Sequence, residues 1–174
     1  MILVSSNVAE NRQFPRRSGC PVSISLEVFG DRWSLLIVRD LMVRGYRTFK
    51  EFLESGEGIA TNVLAHRLRK LMAAGIISTE KEGTDARRVN YRLTRKGIDL
   101  APVLLELLLW GARHEKTGAP CVLTAHMEKN RGEIVAEVRR RWKQRDPTPL
   151  LPPFSQTKQK GARSEQSTRT GRHA

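Results

Sequence analysis

The sequence is short of the residues that define several common protein classes. Its two cysteines, Cys20 and Cys121, are too few for a disulfide framework, and their spacing matches no zinc motif. No apolar run reaches the roughly 18 residues that a membrane-spanning helix needs. The apolar start Met1–Val4 lacks both the basic segment and the sustained apolar segment of a signal peptide. We therefore expect a cytoplasmic protein with no membrane association and no bound metal.

Arrangements typical of catalysis are also missing. The four histidines are scattered along the chain, and no glycine-rich phosphate loop or Ser/His/Asp pattern is present. The sequence therefore predicts a protein that is not an enzyme and that needs no cofactor.

Acidic residues are few beside basic ones. The chain has 31 lysines and arginines against 18 acidic residues, which gives a net charge of +13. Between residues 60 and 96, nine basic and three acidic residues leave a net charge of +6. This concentration predicts a polyanionic partner, double-stranded DNA. The alternative is a nonspecific, architectural nucleic-acid-binding protein.

The basic region has the pattern of a helix followed by a two-stranded ribbon. Leu64, Leu68 and Leu71 repeat at helical spacing, and Gly75 is typical of a helix end. Two β-type runs follow, joined by the turn residues Glu82–Asp85. A basic helix with a basic ribbon beside it favours a winged helix-turn-helix, in which the helix enters the major groove of DNA. The fold class that we predict is mainly α with a small β-wing.

Helical spacing places donors and positive charge opposite the leucines. Asn62, His66 and Arg69 are the candidates for reading base edges, because asparagine pairs with adenine and arginine with guanine. Arg67, on the flank of the helix, is either a structural or a phosphate-binding residue. The predicted DNA contacts of this recognition helix are Thr61, Asn62, His66, Arg67, Arg69 and Lys70, and those of the wing and the phosphate backbone are Arg87, Arg88, Arg32 and Arg47.

Apolar periodicity predicts further helices on both sides of this unit. Cys20-Pro21 opens one helix that ends at Gly30, and Asp31 caps a second over residues 32–42. A short helix follows at residues 49–53. A long helix from Arg95 to His114, bent at Pro102, is apolar nearly all round between Val103 and Trp110, which predicts cover by a partner subunit as well as by its own domain.

The predicted organisation has four parts. Residues 1–19 form a flexible arm, residues 20–117 the DNA-binding and dimerisation domain, and residues 118–145 a helical extension with its helix at about 127–145. Residues 146–174 have a proline-rich and then basic polar composition, which predicts a disordered tail.

A series of ordered sequence landmarks spans about 95 residues of this chain. They are Cys20-Pro21, Gly30–Ile37, Phe49–Phe52, Leu64–Leu71, Ala73–Ile76, Tyr91–Thr94, Gly97, Pro102–Leu104 and Trp110. In these residues the chain resembles the HxlR-type winged helix-turn-helix transcription regulators. The resemblance implies a bacterial regulator, a repressor or a dual regulator, which binds a dyad-symmetric operator as a homodimer through the helices that flank the winged core. Its effector, whether a small molecule or a redox signal, is not implied.

Two positions depart from that family's pattern. Ala60 stands where a serine or threonine usually caps the recognition helix, so Thr61 is expected to take over the cap one residue later. Arg47-Thr48 replaces a pair of basic residues, which removes one expected phosphate contact.

Cys20 has two interpretations. A thiol at a helix N-terminus, just after Arg16 and Arg17, should have a lowered pKa and raised reactivity. The resemblance implies that some relatives sense oxidants or electrophiles at this position. The other interpretation is a small buried residue, which is how most free cysteines behave.

Overall fold

A computed structural model of the chain describes residues 18–81, 89–151 and 154. Over these ranges the chain is mostly helical with one two-stranded sheet, which confirms the predicted fold class. The elements are α1 (Pro21–Phe29), α2 (Arg32–Arg39), a π-helical turn (Asp40–Arg44), α3 (Phe49–Leu53), α4 (Thr61–Ala73), β1 (Ile77–Lys81), β2 (Val89–Leu93), α5 (Arg95–Ile98), α6 (Ala101–His114), α7 (Cys121–Lys129) and α8 (Arg131–Gln144).

Side-chain caps define where α2 and α3 begin. The Asp31 carboxylate accepts from the backbone N–H groups of Trp33 and Ser34 at the start of α2. At α3, Thr48 and Glu51 form a reciprocal capping box. The leucines of α4 at positions 64, 68 and 71 are buried in the main core, as their spacing predicted. The two helices of the motif, α3 and α4, are thus fixed by local sequence and by burial together.

The wing is an antiparallel pair that begins directly after α4. β1 pairs with β2 in a register that sets Ile77 opposite Leu93 and Lys81 opposite Val89. Gly97, in α5, lies so close to this pair that an added Cβ would stand 2.2 Å from the Ile76 carbonyl oxygen. Only glycine fits there, because any other side chain would prevent α5 from packing so closely against the wing.

The single helix predicted over residues 95–114 is wrong, because the segment forms two helices. It is divided into α5 and α6, with Pro102 in the first turn of α6 rather than at an internal bend. Proline lacks the N–H that an uninterrupted helix needs, whereas the first turn has no partner for that group, so the chain starts a new helix.

Two other predicted helices also have different limits. The helix expected over residues 32–42 is α-helical only to Arg39; it continues as the π-helical turn and ends at Gly45, whose φ is 74°. The helix expected at about 127–145 is two helices that meet at Asn130, and the first of them begins at Cys121, just after Pro120.

The C-terminal helix α8 is part of the main core. Val138 is buried with the residues of α2 and α4. Trp142 Nε1 donates to the Leu93 carbonyl at 2.8 Å, and Arg92 donates back to the Trp142 carbonyl at 2.7 Å. Residues of the extension predicted for 118–145 therefore contact the main core and β2.

The predicted disorder from residue 146 onward is wrong for its first six residues. The backbone N–H of Leu150 donates to the Val43 carbonyl at 2.8 Å, and the side chain of Leu151 is buried. Two adjacent leucines supply the apolar contact that the prolines around them lack. Residues 152–153 and 155–174, like the arm at residues 1–17, lie outside the described residues. Of the helices in the described ranges, none is long and apolar enough to cross a membrane.

Candidate nucleic-acid interface

One face of α4 is exposed and carries polar and basic groups. Asn62, His66 and Arg69 lie on this face, Lys70 is half-buried at its edge, and Thr61 is exposed at the start of the helix. The opposite face is held by the buried leucines, so rotation of the helix about its axis would expose apolar surface. The arrangement presents amide, imidazole and guanidinium donors in one row, with no acidic residue in the helix.

The N-terminus of α4 differs from the expectation. Ala60 is the N-cap and contributes no side-chain bond, and Thr61 does not take over that role. Instead the Asn62 side chain turns back, and its Oδ1 accepts from the Val63 N–H at 2.9 Å. Arg69 uses only its Nε for a bond within the helix, to the Ala65 carbonyl at 3.3 Å. Its two terminal nitrogens have the geometry that pairs with guanine.

Arg67 points into the domain and not along the exposed face. Its Nη1 lies 3.2 Å from Asp31 Oδ2, and its Nε is buried without a hydrogen-bond partner among the described residues. Of the two roles that the sequence left open, these contacts support the structural one. Partial burial opposes ionisation of Asp31, but hydrogen bonds from Ser34, the charge of Arg67 and the Trp33 N–H together lower its pKa. The ion pair joins the start of α2 to the middle of α4.

The two weaker phosphate candidates have different surroundings. The Arg47 guanidinium donates to the carbonyls of Leu41 and Tyr46 at 2.6 and 2.8 Å, and its burial lowers its pKa. These bonds hold Arg47 inside the domain, so the structure offers no support for a phosphate contact there. Arg32 is exposed, stacks on Trp33 at 4.9 Å and lies 3.7 Å from Glu57. The wing residues Arg87 and Arg88 lie outside the described residues.

A buried ion-pair network that sequence reasoning missed fixes the turn before α4. Asp40, 3% exposed, accepts from Arg39 at 2.8 and 2.9 Å and lies 3.1 Å from Arg44. Arg39 also donates to Glu57, in that turn, at 2.8 Å. Burial raises the pKa of Asp40, although the adjacent arginines oppose this. The signal in the sequence was an aspartate at a core-facing position of the α2 pattern, one turn after Leu36 and Ile37.

Both cysteines have exposed thiols. Cys20 is the N-cap of α1, where the backbone N–H groups of Ser23 and then Val22 lower its pKa. The position at a helix start is the one that the sequence predicted, and the Cys20 side chain is not buried within the described part of this chain. Cys121 is exposed at the start of α7. Across the described residues, no group of three histidines, cysteines or acidic side chains could hold a metal ion.

Two helices present apolar residues to solvent. On α6, Val103, Leu107 and Trp110 are each about half exposed and follow one another at helical spacing. On α1, Val22 and Leu26 are more exposed still, at 67% and 58%. A monomer rarely leaves large apolar patches uncovered, so the exposed apolar residues of each helix are candidates for a contact surface.

Comparison with known proteins adds three kinds of similarity. The family model described as HxlR-like helix-turn-helix matches residues 28–118. The uncharacterized HTH-type transcriptional regulator YybR of Bacillus subtilis is 34% identical over 98 residues, which are 56% of this chain and 78% of YybR. Among solved structures, PA1607, a candidate transcription factor, is 40% identical with a TM-score of 0.54, over 61% of this chain and 71% of its own. The redox regulator HypR in its oxidized form is 32% identical with a TM-score of 0.51, over 56% of this chain and 99% of its own.

Proposed function

The chain belongs to the HxlR-like helix-turn-helix family of transcriptional regulators, and from that premise we propose that it binds a dyad-symmetric operator as a homodimer. Membership of this family makes it a DNA-binding regulator and not an enzyme. We propose further that it acts as a repressor or dual regulator in the bacterial cytoplasm, where the chromosome lies.

The observation that carries the proposal is the exposed face of α4. Asn62, His66 and Arg69 share that face, while buried leucines hold the other side of the helix in the core. Because the leucines fix the orientation of α4 in the core, these side chains share one exposed row, which is the arrangement that readout of base edges in a major groove uses. Asn62 and Arg69 act as base readers in this proposal, and Thr61, His66 and Lys70 contact phosphates or water.

Arg32 and the wing extend the proposed interface to the phosphate backbone. Arg32 is exposed beside Trp33, and Arg87 and Arg88 directly precede β2 in the sequence. Their contribution should be independent of sequence and should weaken with salt, because phosphate contacts release counterions from DNA.

The apolar faces of α1 and α6 supply the proposed dimer contact. A twofold pair would bury both faces and present two α4 helices to successive major grooves. In this proposal the chain divides at residue 20 into an N-terminal arm and the winged domain, and the domain includes α7 and α8.

Selection of bound fragments from genomic or random DNA, followed by a competition titration at fixed salt, tests the proposal. A regulator should prefer one short dyad-symmetric site over bulk DNA by about 10³-fold or more. Binding that is equal for all fragments would instead identify a nonspecific architectural protein, which the net charge of +13 would equally suit.

A further inference from the structure

A cavity of about 380 Å³ lies between the helix-turn-helix and the C-terminal helices. Its walls come from α2 and the π-helical turn on one side, α6 on the second, and α7, α8 and the segment that follows α8 on the third. Ligand sites in proteins are commonly 300–1,000 Å³, mainly apolar and furnished with few polar groups. The volume of this cavity is therefore in the range of a site for a small molecule.

The charged side chains that line this cavity are all positive. Most of the side chains are aliphatic, among them Leu108, Met127 and Ile134, and the charged ones are Arg32, Arg39 and Arg44, with no acidic residue in the lining. Asp40 and Glu57 form ion pairs with these arginines but do not themselves line the cavity. Three guanidinium groups against two carboxylates leave a local excess of positive charge beside an apolar chamber.

The segment after α8 closes the chamber and is tied to the π-helical turn. Leu150 and Leu151 both direct their backbone N–H groups to the Val43 carbonyl, at 2.8 and 3.3 Å. An added Cβ on Gly45 would stand 2.4 Å from the Pro147 carbonyl oxygen, so the segment lies directly on the end of that turn. Leu150, Leu151 and Phe154 then complete the wall. Such π-helical turns occur frequently at functional sites.

We propose that this cavity binds a small apolar molecule that carries one negative charge, a carboxylate or sulfonate, with the apolar body among the leucines and the acid group beside Arg32 and Arg44, because the three guanidinium nitrogens of Arg39 already donate to Asp40 and Glu57. The assignment of an effector site rests on the proposed function, but binding itself does not require DNA. Part of the cavity is built by residues beyond 118, outside the region that the family model matches.

A titration of the full chain with 8-anilino-1-naphthalenesulfonate, without DNA, tests the proposal. This dye has an apolar aromatic body and one sulfonate, and its fluorescence rises in apolar surroundings. We expect saturable binding of one dye per chain. N-phenyl-1-naphthylamine, the same body without the sulfonate, should bind at least about tenfold more weakly.

A pair of variants locates the site. Ala112→Phe places an aromatic ring in the cavity wall and should reduce dye affinity at least about tenfold, whereas Ala125→Phe makes the same change at an exposed position of α7 that does not line the cavity. Far-UV circular dichroism and a thermal melt establish that both variants fold. If Ala112→Phe is destabilised, protection of Met127 and Leu151 amides from hydrogen exchange by the dye in the unaltered chain is the second measurement.

Three outcomes would overturn the proposal, and a fourth would contradict only the proposed function. Equal binding in both variants places the dye elsewhere on the surface, and equal affinity for the two dyes removes the role of the arginines. A loss of dye binding as the protein concentration rises would show that a second copy occupies the cavity. A chain that binds dye as expected but prefers no DNA sequence would contradict the proposed function and leave the cavity site intact.

Discussion

Asp31 connects α2 and α4, two helices of the DNA-binding unit, through one carboxylate. It caps α2, accepts from the Ser34 hydroxyl at 2.6 Å and pairs with Arg67 of α4. The recognition helix is thus held at its middle by a charge that sits at the start of another helix. Removal of that charge should affect the position of α4 without changing any residue of its exposed face.

The free energy of unfolding should depend on pH through Asp31. Its pKa is lowered in the folded chain, so its contribution is fully present above the unfolded pKa of about 3.9 and is lost as pH falls through the lower folded value. Asp31→Asn keeps a capping oxygen but removes the charge. We expect the unaltered chain to be more stable than this variant by about 1–2 kcal/mol at pH 7, in urea titrations, and the difference to shrink towards pH 3.

Asp99→Asn is the matched control, because Asp99 is exposed and pairs with the exposed Arg139 at 3.2 Å. That pair should contribute less than about 1 kcal/mol at any pH. A difference for Asp31→Asn that stays constant between pH 7 and pH 3 would contradict the role of its charge.

Arg69 is the residue for which base reading can be tested most directly. Arg69→Ala should cost about 1–3 kcal/mol of binding free energy on the operator and relax the preference at one base pair. Fluorescence anisotropy over single-base operator variants measures both effects. Arg140→Ala removes the same charge from α8, where Arg140 is paired with Glu137, and should preserve the order of preference. An unchanged order for Arg69→Ala would disprove base reading by this residue.

Whether a side chain is buried or exposed could be predicted from the sequence where the helical repeat alone determines it. The buried leucines of α4 and their exposed opposites follow from the 3.6-residue repeat alone. The Arg39–Glu57 pair could not be predicted, because its members are 18 residues apart and no periodicity relates them. The inward orientation of the Arg47 side chain could not be predicted either, because its carbonyl acceptors come within reach only after the π-helical turn has formed.

At the scale of elements, the predicted helices were correct in type and less so in their limits. Pro102 is compatible with a bent helix or a new one, and the sequence around it does not distinguish them. The helix that begins at Cys121 was missed because its apolar residues are few and irregularly spaced. The place of α8 in the core depends on contacts with the wing, about 50 residues away in sequence, and so could not be read from its own amphipathic pattern.

Trp142 should report how firmly α8 belongs to the domain. Trp142→Ala removes a half-buried ring, its bond to Leu93 and the stacking of Arg92 over the ring at 5.6 Å. We expect the free energy of unfolding to fall by about 3 kcal/mol. Trp142→Phe keeps most of the ring and loses the hydrogen bond, so it should cost about 1 kcal/mol. A loss below about 0.5 kcal/mol for Trp142→Ala would mean that the wing does not depend on α8.

At the scale of the whole molecule, the proposed dimer can be tested by a matched pair of valines. Val103 is 48% exposed on the apolar face of α6, and Val122 is 85% exposed on α7. Val103→Glu places a charge in the proposed contact and should give a monomer in sedimentation at micromolar concentration, whereas Val122→Glu should remain a dimer. A monomer should also bind the operator much more weakly, since only one half-site is engaged. An unaltered chain that sediments as a monomer and still binds a dyad-symmetric site tightly would contradict the dimer.

Cys20 connects the chemistry of one residue to the whole assembly. Its thiol is exposed, its pKa is lowered by the N–H groups of Ser23 and Val22, and it begins the helix that carries Val22 and Leu26 to the proposed contact. A thiolate there attacks hydrogen peroxide, which is reduced to water while the sulfur becomes a sulfenic acid. In the proposed dimer the new polar group would lie at the edge of the contact surface and should alter the spacing of the two α4 helices.

We therefore expect mild peroxide to weaken operator binding by about tenfold, a coupling of about 1.4 kcal/mol, and a thiol reductant to restore it. Cys20→Ser should abolish the response. Cys121→Ser, which removes the other exposed thiol, should retain the initial loss, and any change in its reversal would identify Cys121 as the resolving partner in a disulfide. Anisotropy titrations before and after oxidation provide the measurement. Equal affinity for the operator in the oxidised and reduced unaltered chain would show that Cys20 has no part in regulation. Exposure and a lowered pKa make the thiol reactive, but oxidation can change DNA affinity only if the modified helix changes the dimer.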